Sequence, residues 1–379
     1  MAEEKHTEEK NTEEQERRTG ERRVVVRRRV VKKHHPVQTA GIAILAIVAV
    51  VACVVALRFH ASNTALLRRA ETLQNDLSRY DGGYTAEEHD KAITQAKESS
   101  RQEVLDYIRD EMSSGTHGPL DTVRTLFPDD IILFHDGKYL FHPIDESIQK
   151  NTLEPSDFEK DAYGRVDYAG SDLNIRTFQG IDVSSHQGYI DWARVAAAGV
   201  KFAMIRVGFR GWGMTGSLNV DETFTQNIVG AYENGIEVGV YWFPASLDAR
   251  EAEEEAAFVL ETIEPYRNMI TYPVALDLEL PETNQSRVWG QSMEDVTDNA
   301  LVFLEKIEEA GYDTMVYGNL TTFVVMAELE RLKDYPTWIA WYDVPLYYPY
   351  QYQIWQYTAE GHVDGINTEV DLNLKIETD

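Results

Sequence analysis

Asp277 and Glu279 lie two residues apart in an otherwise apolar stretch, YPVALDLEL, residues 272–280. Val274, Leu276, Leu278 and Leu280 take the alternate positions, so the stretch reads as a buried strand with one acidic face. Burying a carboxylate is unfavourable unless the group is paired or used. On a strand the two acids share a face, with Cα atoms ~6.6 Å apart at ~3.3 Å per residue. Two further acids sit in comparable apolar stretches, Asp182 in QGIDVS (179–184) and Asp371 in VDLNL (370–374). Acids that crowd together raise one another's pKa values. Glycoside hydrolysis needs that arrangement: one carboxyl stays protonated for the leaving oxygen while another stays ionised. An ion-paired structural network and a divalent-metal site are the competing readings of the same four acids.

These acids have to be brought together by the elements around them. From Phe178 onward, short apolar stretches alternate with amphipathic ones. Strands are expected at 179–184, 201–208, 237–243, 272–280, 314–319, 337–342, 352–357 and 370–374. Helices are expected from Asp191, over 224–235, 249–263 and 293–311, and near 321–332. In the fourth of these, Val296, Ala300, Phe303, Leu304 and Ile307 fall on one face. Five strand–helix units followed by three strands imply a largely parallel sheet closed as a barrel. The first and last strands of a closed barrel are neighbours, so Asp182 and Asp371 can approach one another. Catalytic groups of parallel α/β barrels lie at the C-terminal ends of strands; Asp277 and Glu279 lie near the end of theirs, and Asp182 on the first strand and Asp371 on the last occupy comparable places. Aromatic residues near the same ends, Tyr241, Trp242, Trp338, Trp341, Tyr342, Trp355 and Tyr357, offer either stacking faces for sugar rings or core packing.

The remainder of the chain has a different texture. The net charge is −28, yet residues 17–33 hold nine Arg and Lys against the single acid Glu21. The acidity therefore lies beyond that arm, and so acidic a chain is a poor nucleic-acid binder, because phosphate contacts need cations. Residues 40–57, AGIAILAIVAVVACVVAL, lack any polar side chain. Eighteen such residues meet the length of a membrane-spanning helix at ~1.5 Å per residue. A cleaved signal peptide and a lipoprotein signal ending at Cys53 are alternatives, but the apolar run continues past that cysteine. The basic arm predicts a cytoplasmic N-terminus and an outside remainder. Cys53 is the only cysteine, which excludes an intramolecular disulfide framework and a cysteine zinc site.

The expected organisation is a disordered basic arm (1–39), a transmembrane helix (40–58), a helical stalk (59–118), a small β-hairpin module (119–149), a linker (150–177) and the barrel (178–379). In the stalk, Leu66, Ala70, Leu73 and Leu77 make a short heptad seam, broken by DGGY (81–84). Val104, Ile108 and Met112 follow on one helical face, and a weak dimer through the stalk is an expectation. In the hairpin module, two apolar runs flank Asp136-Gly137, which suits a type I′ turn. His135 and His142 flank that turn and are read as strand histidines rather than metal ligands.

Residues 180–376 also resemble the glycoside hydrolase family 25 lysozymes, the Chalaropsis-type N-acetylmuramidases. The matching pieces are GIDVSSHQGYIDW (180–192), KFAMIRVGFRG (201–211), GIEVGVYWF (235–243), VALDLE (274–279), WIAWY (338–342), IWQYT (354–358) and VDLNL (370–374). The resemblance implies an α/β fold, a flattened TIM-like (β/α)5(β)3 barrel. It implies hydrolysis of the β-1,4 bond between N-acetylmuramic acid and N-acetylglucosamine in peptidoglycan, without metal or organic cofactor. It makes Glu279 the general acid. Asp277 becomes the nucleophile or the group that orients the substrate acetamide, with Asp182 and Asp371 tuning the pair. Tyr241, Trp341, Tyr342, Trp355, Gln356, Tyr317 and Arg206 are the candidate substrate contacts. Trp242 and Pro244 in YWFPAS, and Leu374 after DLN, depart from the usual family pattern and bear on sugar preference. Together with residues 40–58, the resemblance leads to an expected membrane-anchored wall-remodelling enzyme of a Gram-positive bacterium. A catalytically weak glycan-binding module, or a scaffold for a cell-envelope machine, is the alternative.

Overall fold

The computed structural model describes residues 72, 86–115, 118–281, 283–342, 344 and 346–378. The basic arm, the apolar run 40–57 and the Leu66–Leu77 seam lie outside the described residues. Among the described residues no helix is long and apolar enough to cross a membrane.

Helix α1 (Ala86–Ser114) starts with Glu87 and Glu88 in its first turn, where acids suit the helix dipole. Val104 and Ile108 are half-buried and Met112 is exposed. After α2 (Pro119–Leu126), strands β1 (Asp130–His135) and β2 (Lys138–Pro143) pair antiparallel from Asp130↔Pro143 to His135↔Lys138. Their turn holds Asp136 and Gly137 at φ 49° and 76°, the two positive values a type I′ turn requires. Strands β3 (Phe158–Lys160) and β4 (Val166–Tyr168) form a second, short hairpin.

The barrel follows. Its strands are β5 (Ile175–Val183), β6 (Phe202–Arg210), β8 (Glu237–Phe243), β9 (Ile270–Asp277), β10 (Thr314–Asn319), β11 (Thr337–Ala340), β12 (Ile354–Gly361) and β13 (Val370–Thr378). A short β7 (Leu218–Val220) flanks β6. The sheet runs β5-β13-β12-β11-β10-β9-β8-β6-β7 and closes through β5–β6. Neighbours are parallel from β5 round to β12, and β13 is antiparallel to both β12 and β5. Helices α3 (Trp192–Ala197), α4 (Phe224–Glu233), α5 (Ala249–Ile263), α6 (Met293–Glu309) and the short α7 (Leu329–Leu332) lie between the first six barrel strands. Asp248 caps α5 by accepting from the Glu251 N–H at 2.9 Å, and Ser292 caps α6 through the Asp295 N–H at 3.1 Å. Gly235 (φ 73°) and Gly311 (φ 83°) take the left-handed conformation that turns α4 and α6 back toward the next strand.

The pleat divides the side chains into two sets. Phe202, Met204, Tyr241, Ala275, Met315, Tyr317, Trp338, Ala340 and Ile354 fill the barrel interior. The alternate residues, among them Ile205, Val240, Val274, Leu276, Ile339, Trp355 and Leu374, pack outward in the larger core. Gly180 makes room for the interior set: a Cβ there would lie 2.3 Å from the Phe202 ring.

Residues 150–177 are not a spacer. Phe158 and Val166 are buried in the outer core, the Phe158 ring meets Trp355 edge-on at 5.4 Å, and β5 already starts at Ile175. The preceding hairpin packs into the same core through Ile131 and Leu133. The Tyr347 hydroxyl bonds it, donating to the Asp130 carbonyl at 2.9 Å and accepting from the Ile132 N–H at 3.1 Å. The barrel domain therefore includes the segment from residue 119 to 168, which the alternating pattern of strands and helices does not announce.

Candidate active site

Period-two alternation decides which residues reach the C-terminal mouth. Asp182 on β5, Arg206 on β6, Tyr241 on β8, Asp277 on β9, Tyr317 on β10, Trp338 on β11, Gln356 on β12 and Asp371 on β13 all line one cleft of about 900 Å³, with Glu279 and Tyr342. The strand containing Asp277 ends at that residue. The next N–H, of Leu278, still donates to the Tyr317 carbonyl at 3.0 Å, and Glu279 follows, exposed, over the cleft. The pair expected on one strand face is thus a buried acid at the strand end and an exposed acid just beyond it.

Asp277 is 7% exposed, and its Oδ1 is buried without a hydrogen-bond partner. Burial pushes its carboxyl well above the usual range, and the charges of Glu279, Asp182 and Asp371 push the same way, against Arg206. Asp182 and Asp371 are direct cross-strand partners and hydrogen-bond each other. Burial raises Asp182 to about 6 against the amide donors around it. Burial, with the charge of Asp182 behind it, raises Asp371 to about 9. The four acids at this mouth therefore do not all carry a charge at neutral pH, since Asp371 is raised to about 9. Arg206 lines the same cleft, and its charge opposes the rise of Asp277. Its Nε donates to Asp221 Oδ2 at 2.8 Å and its Nη2 to Ser185 Oγ at 3.1 Å. Burial would raise Asp221, but bonds from Thr223 and Ser185 and the charge of Arg206 hold it below its ordinary value.

Two expected substrate contacts lie elsewhere. Trp355 is fully buried in the outer core, edge-on to Phe158 and Tyr357, with its Nε1 donating to the Trp341 carbonyl at 2.7 Å. Trp341 packs against Tyr347, with the Arg124 guanidinium 5.1 Å from its ring. Both are odd-numbered neighbours of interior residues, so the pleat sends them outward. Trp242 is also outward and buried, its Nε1 donating to Glu255 Oε2 at 3.0 Å. Tyr342 stays at the rim, 55% exposed, with its hydroxyl donating to Gln356 Oε1 at 2.8 Å.

Other residues in or beneath the cleft carried no expectation. Asn373 lies two residues from Asp371 and therefore shares its face; its Nδ2 donates to Asp182 Oδ2 at 2.8 Å. The same alternation would have found it. Phe209, Trp212, Asn219 and Asp221 come from the β6–β7 hairpin, whose folding over the mouth no local pattern marks. Trp212 leans on Phe243 at 5.5 Å to make an aromatic wall there. Among the described residues no group of His, Cys, Asp and Glu is arranged to hold a metal ion.

Residues 181–366 match the family described as Glycosyl hydrolases family 25. The chain is 29% identical over 196 residues to an autolytic lysozyme of Clostridium acetobutylicum, covering 52% of this chain and 55% of that protein. It is 29% identical over 212 residues to lysozyme M1 of Streptomyces globisporus, covering 52% and 66%. The chain thus spans about half to two thirds of the length of these curated relatives. Among solved structures, the modular autolysin LytC of Streptococcus pneumoniae aligns at 21% identity and a TM-score of 0.49, over 64% of this chain and 57% of that one.

Proposed function

From a chain whose residues 181–366 carry a glycosyl hydrolase family 25 domain, we propose a peptidoglycan muramidase that cleaves the β-1,4 bond between N-acetylmuramic acid and N-acetylglucosamine. The observation that carries this reading is the division of labour between the two central acids. Asp277 is buried with an unpartnered oxygen, and Glu279 is exposed at the cleft. The two are coupled, since the charge of Glu279 raises Asp277, so their proton belongs to the pair. Asp277 lines the cleft, where its carboxyl can accept from a substrate acetamide N–H. That bond favours the ionised carboxylate there and moves the proton to Glu279, next to the leaving oxygen. Asp277 then steers the acetamide so that its carbonyl attacks the anomeric carbon, and Glu279 protonates the departing sugar oxygen. Tyr241 and Tyr342 flank the bound sugar.

The apolar run 40–57 behind a basic arm supports a membrane-anchored enzyme with its barrel on the wall side of the membrane. The test uses the full chain in detergent on purified peptidoglycan. Mass spectrometry is expected to show products with reducing-end muramic acid, and reducing-end glucosamine overturns the muramidase reading. Glu279→Gln is expected to lower turnover about 10²–10⁴-fold, the range of general acid catalysis, with an unchanged Tm. Equal clearing of cell walls by both proteins sinks the hydrolase reading. For the anchor, membrane fractionation of the full chain against a 40–57 deletion decides: an equally soluble pair rejects it.

A further inference from the structure

The cleft floor contains two amides that are not free to turn. Trp338 Nε1 is a donor only, and it lies 2.8 Å from Asn373 Oδ1. The Asn373 Nδ2 must therefore face Asp182 Oδ2, 2.8 Å away. The hydroxyls of Tyr317 and Tyr342 donate to Gln356 Oε1 at 2.9 and 2.8 Å, and Gln356 Nε2 donates to the same Asp182 Oδ2 at 2.8 Å. Asn373, Gln356 and Trp338 are all buried. An oxygen that accepts two N–H donors in so closed a site has no place for a proton. Asp371, opposite on β13, touches Asp182, and two carboxylates in contact keep a proton between them.

We infer that Asn373 and Gln356, oriented by Trp338 and Tyr317, are positioning residues that put the proton of this pair on Asp371 and keep Asp182 ionised. The inference rests on the glycosidase reading, in which a fixed negative charge in the floor supports the positive charge that develops on the sugar ring. The titratable and charged groups that line the cleft with Asp182 are Asp371 from β13, Asp277 and Glu279 from the end of β9, Arg206 and Arg210 from β6, Asp221 and Glu222 after β7, His186 after β5, Tyr241 from β8, Tyr317 from β10 and Tyr342 after β11. Arg206 is committed to Asp221 and Ser185, so the amides, rather than a salt bridge, keep Asp182 charged. Asp371 being raised further than Asp182 agrees with this placement.

The test is Asn373→Leu and Trp338→Phe in the full chain, with kcat and KM measured against pH. Asn373→Leu removes one of two donors to the charged form, and is expected to move the acid limb of kcat up by about one pH unit. KM should change less than about twofold, because the amide does not touch substrate. Trp338→Phe leaves Asn373 in place but free to turn, and the same limb should move by less. Carboxyl-carbon NMR titration reads the proton without activity: it should sit on Asp371 in the parent chain, and shift toward Asp182 in Asn373→Leu. Variants with the parent Tm and an unmoved acid limb overturn the inference. So does a parent chain whose proton sits on Asp182, whether or not Asn373→Leu folds. A chain that cleaves no glycan refutes the enzyme reading instead, and the NMR result still judges the placement of the proton.

Discussion

The barrel is covered in two different ways. On the side of β5 to β10 its outward residues meet amphipathic helices, as Val296, Ala300, Phe303, Leu304 and Ile307 of α6 do. On the side of β12 and β13 there is no helix between strands, and the cover comes from residues 119–168. There Ile131, Leu133, Ile148, Phe158 and Val166 share one core with Trp355, Tyr357 and Leu374. The same physical need, hiding outward Val, Leu and Trp from water, is met by local chain on one flank and by chain from before the barrel on the other. Three consecutive strands without helices are stable here because an earlier segment has closed over them.

The sharpest way to break that comparison is to start the chain at residue 177. Uncovering Trp355, Tyr357 and Leu374 is expected to lower Tm by more than about 15 °C, or to prevent folding, by the scale that relates lost burial to Tm in a domain of this size. A truncated barrel with the parent Tm would show that the wrap is ornament. Next comes Trp355→Ala, expected to destabilise by about 3–5 kcal/mol in denaturant unfolding, whereas Tyr342→Ala at the rim should barely change stability and should raise KM. If the two variants exchange those signatures, the assignment of outward and inward aromatics is wrong.

Asp371→Asn separates the cleft from both flanks. Asp371 has a folded pKa raised above its ordinary 3.8, to about 9, chiefly by burial. A raised carboxyl binds more protons in the folded than in the unfolded chain between those values. Its contribution is therefore full below pH 3.8 and is lost as pH rises through about 9. Asp371→Asn should flatten that decline, raise Tm at pH 8 by a few degrees, and reduce turnover. A variant that loses stability at pH 8 would contradict the buried protonated pair. The smallest effect is expected at the tip of the β1–β2 turn. Gly137 has φ 76° and open space where a Cβ would go, so Gly137→Ala should cost about 1 kcal/mol by backbone strain alone. A loss as large as that of Trp355→Ala would mean that the hairpin tip does more than turn the chain.

Much of the fold was legible where the signal is local. Alternation in YPVALDLEL, a 3.6-residue period in 293–309 and the Asp-Gly turn each belong to a few neighbouring residues. The four acids were legible for the same reason, each being a carboxylate set within a short apolar stretch. What misled was the treatment of aromatics near strand ends as one group. Trp338 and Trp341 are three residues apart, so the pleat sends one inward and one outward, and Trp355 next to Gln356 divides in the same way. Asn373 was readable by parity from Asp371, but its purpose depends on Trp338, 35 residues away. The wrap was not legible at all: residues 150–177 are polar and turn-rich, and only Phe158 and Val166 tie the two short strands down.

The sequence alone determined the order of strands and helices, the period that puts Asp277 and Glu279 toward one side, and the identity of the four acids, because these depend on covalent spacing and on side-chain type. The tertiary structure decided what spacing cannot contain. It ends the strand at Asp277, so that one acid is buried and the other faces the cleft. It sets Asp182 opposite Asp371 by running the last strand antiparallel. It brings Trp338, Asn373 and Gln356 to one carboxylate oxygen. The opening pair of acids is different in kind only because barrel closure and burial make it so, and burial is a property of the assembled neighbours rather than of the residue.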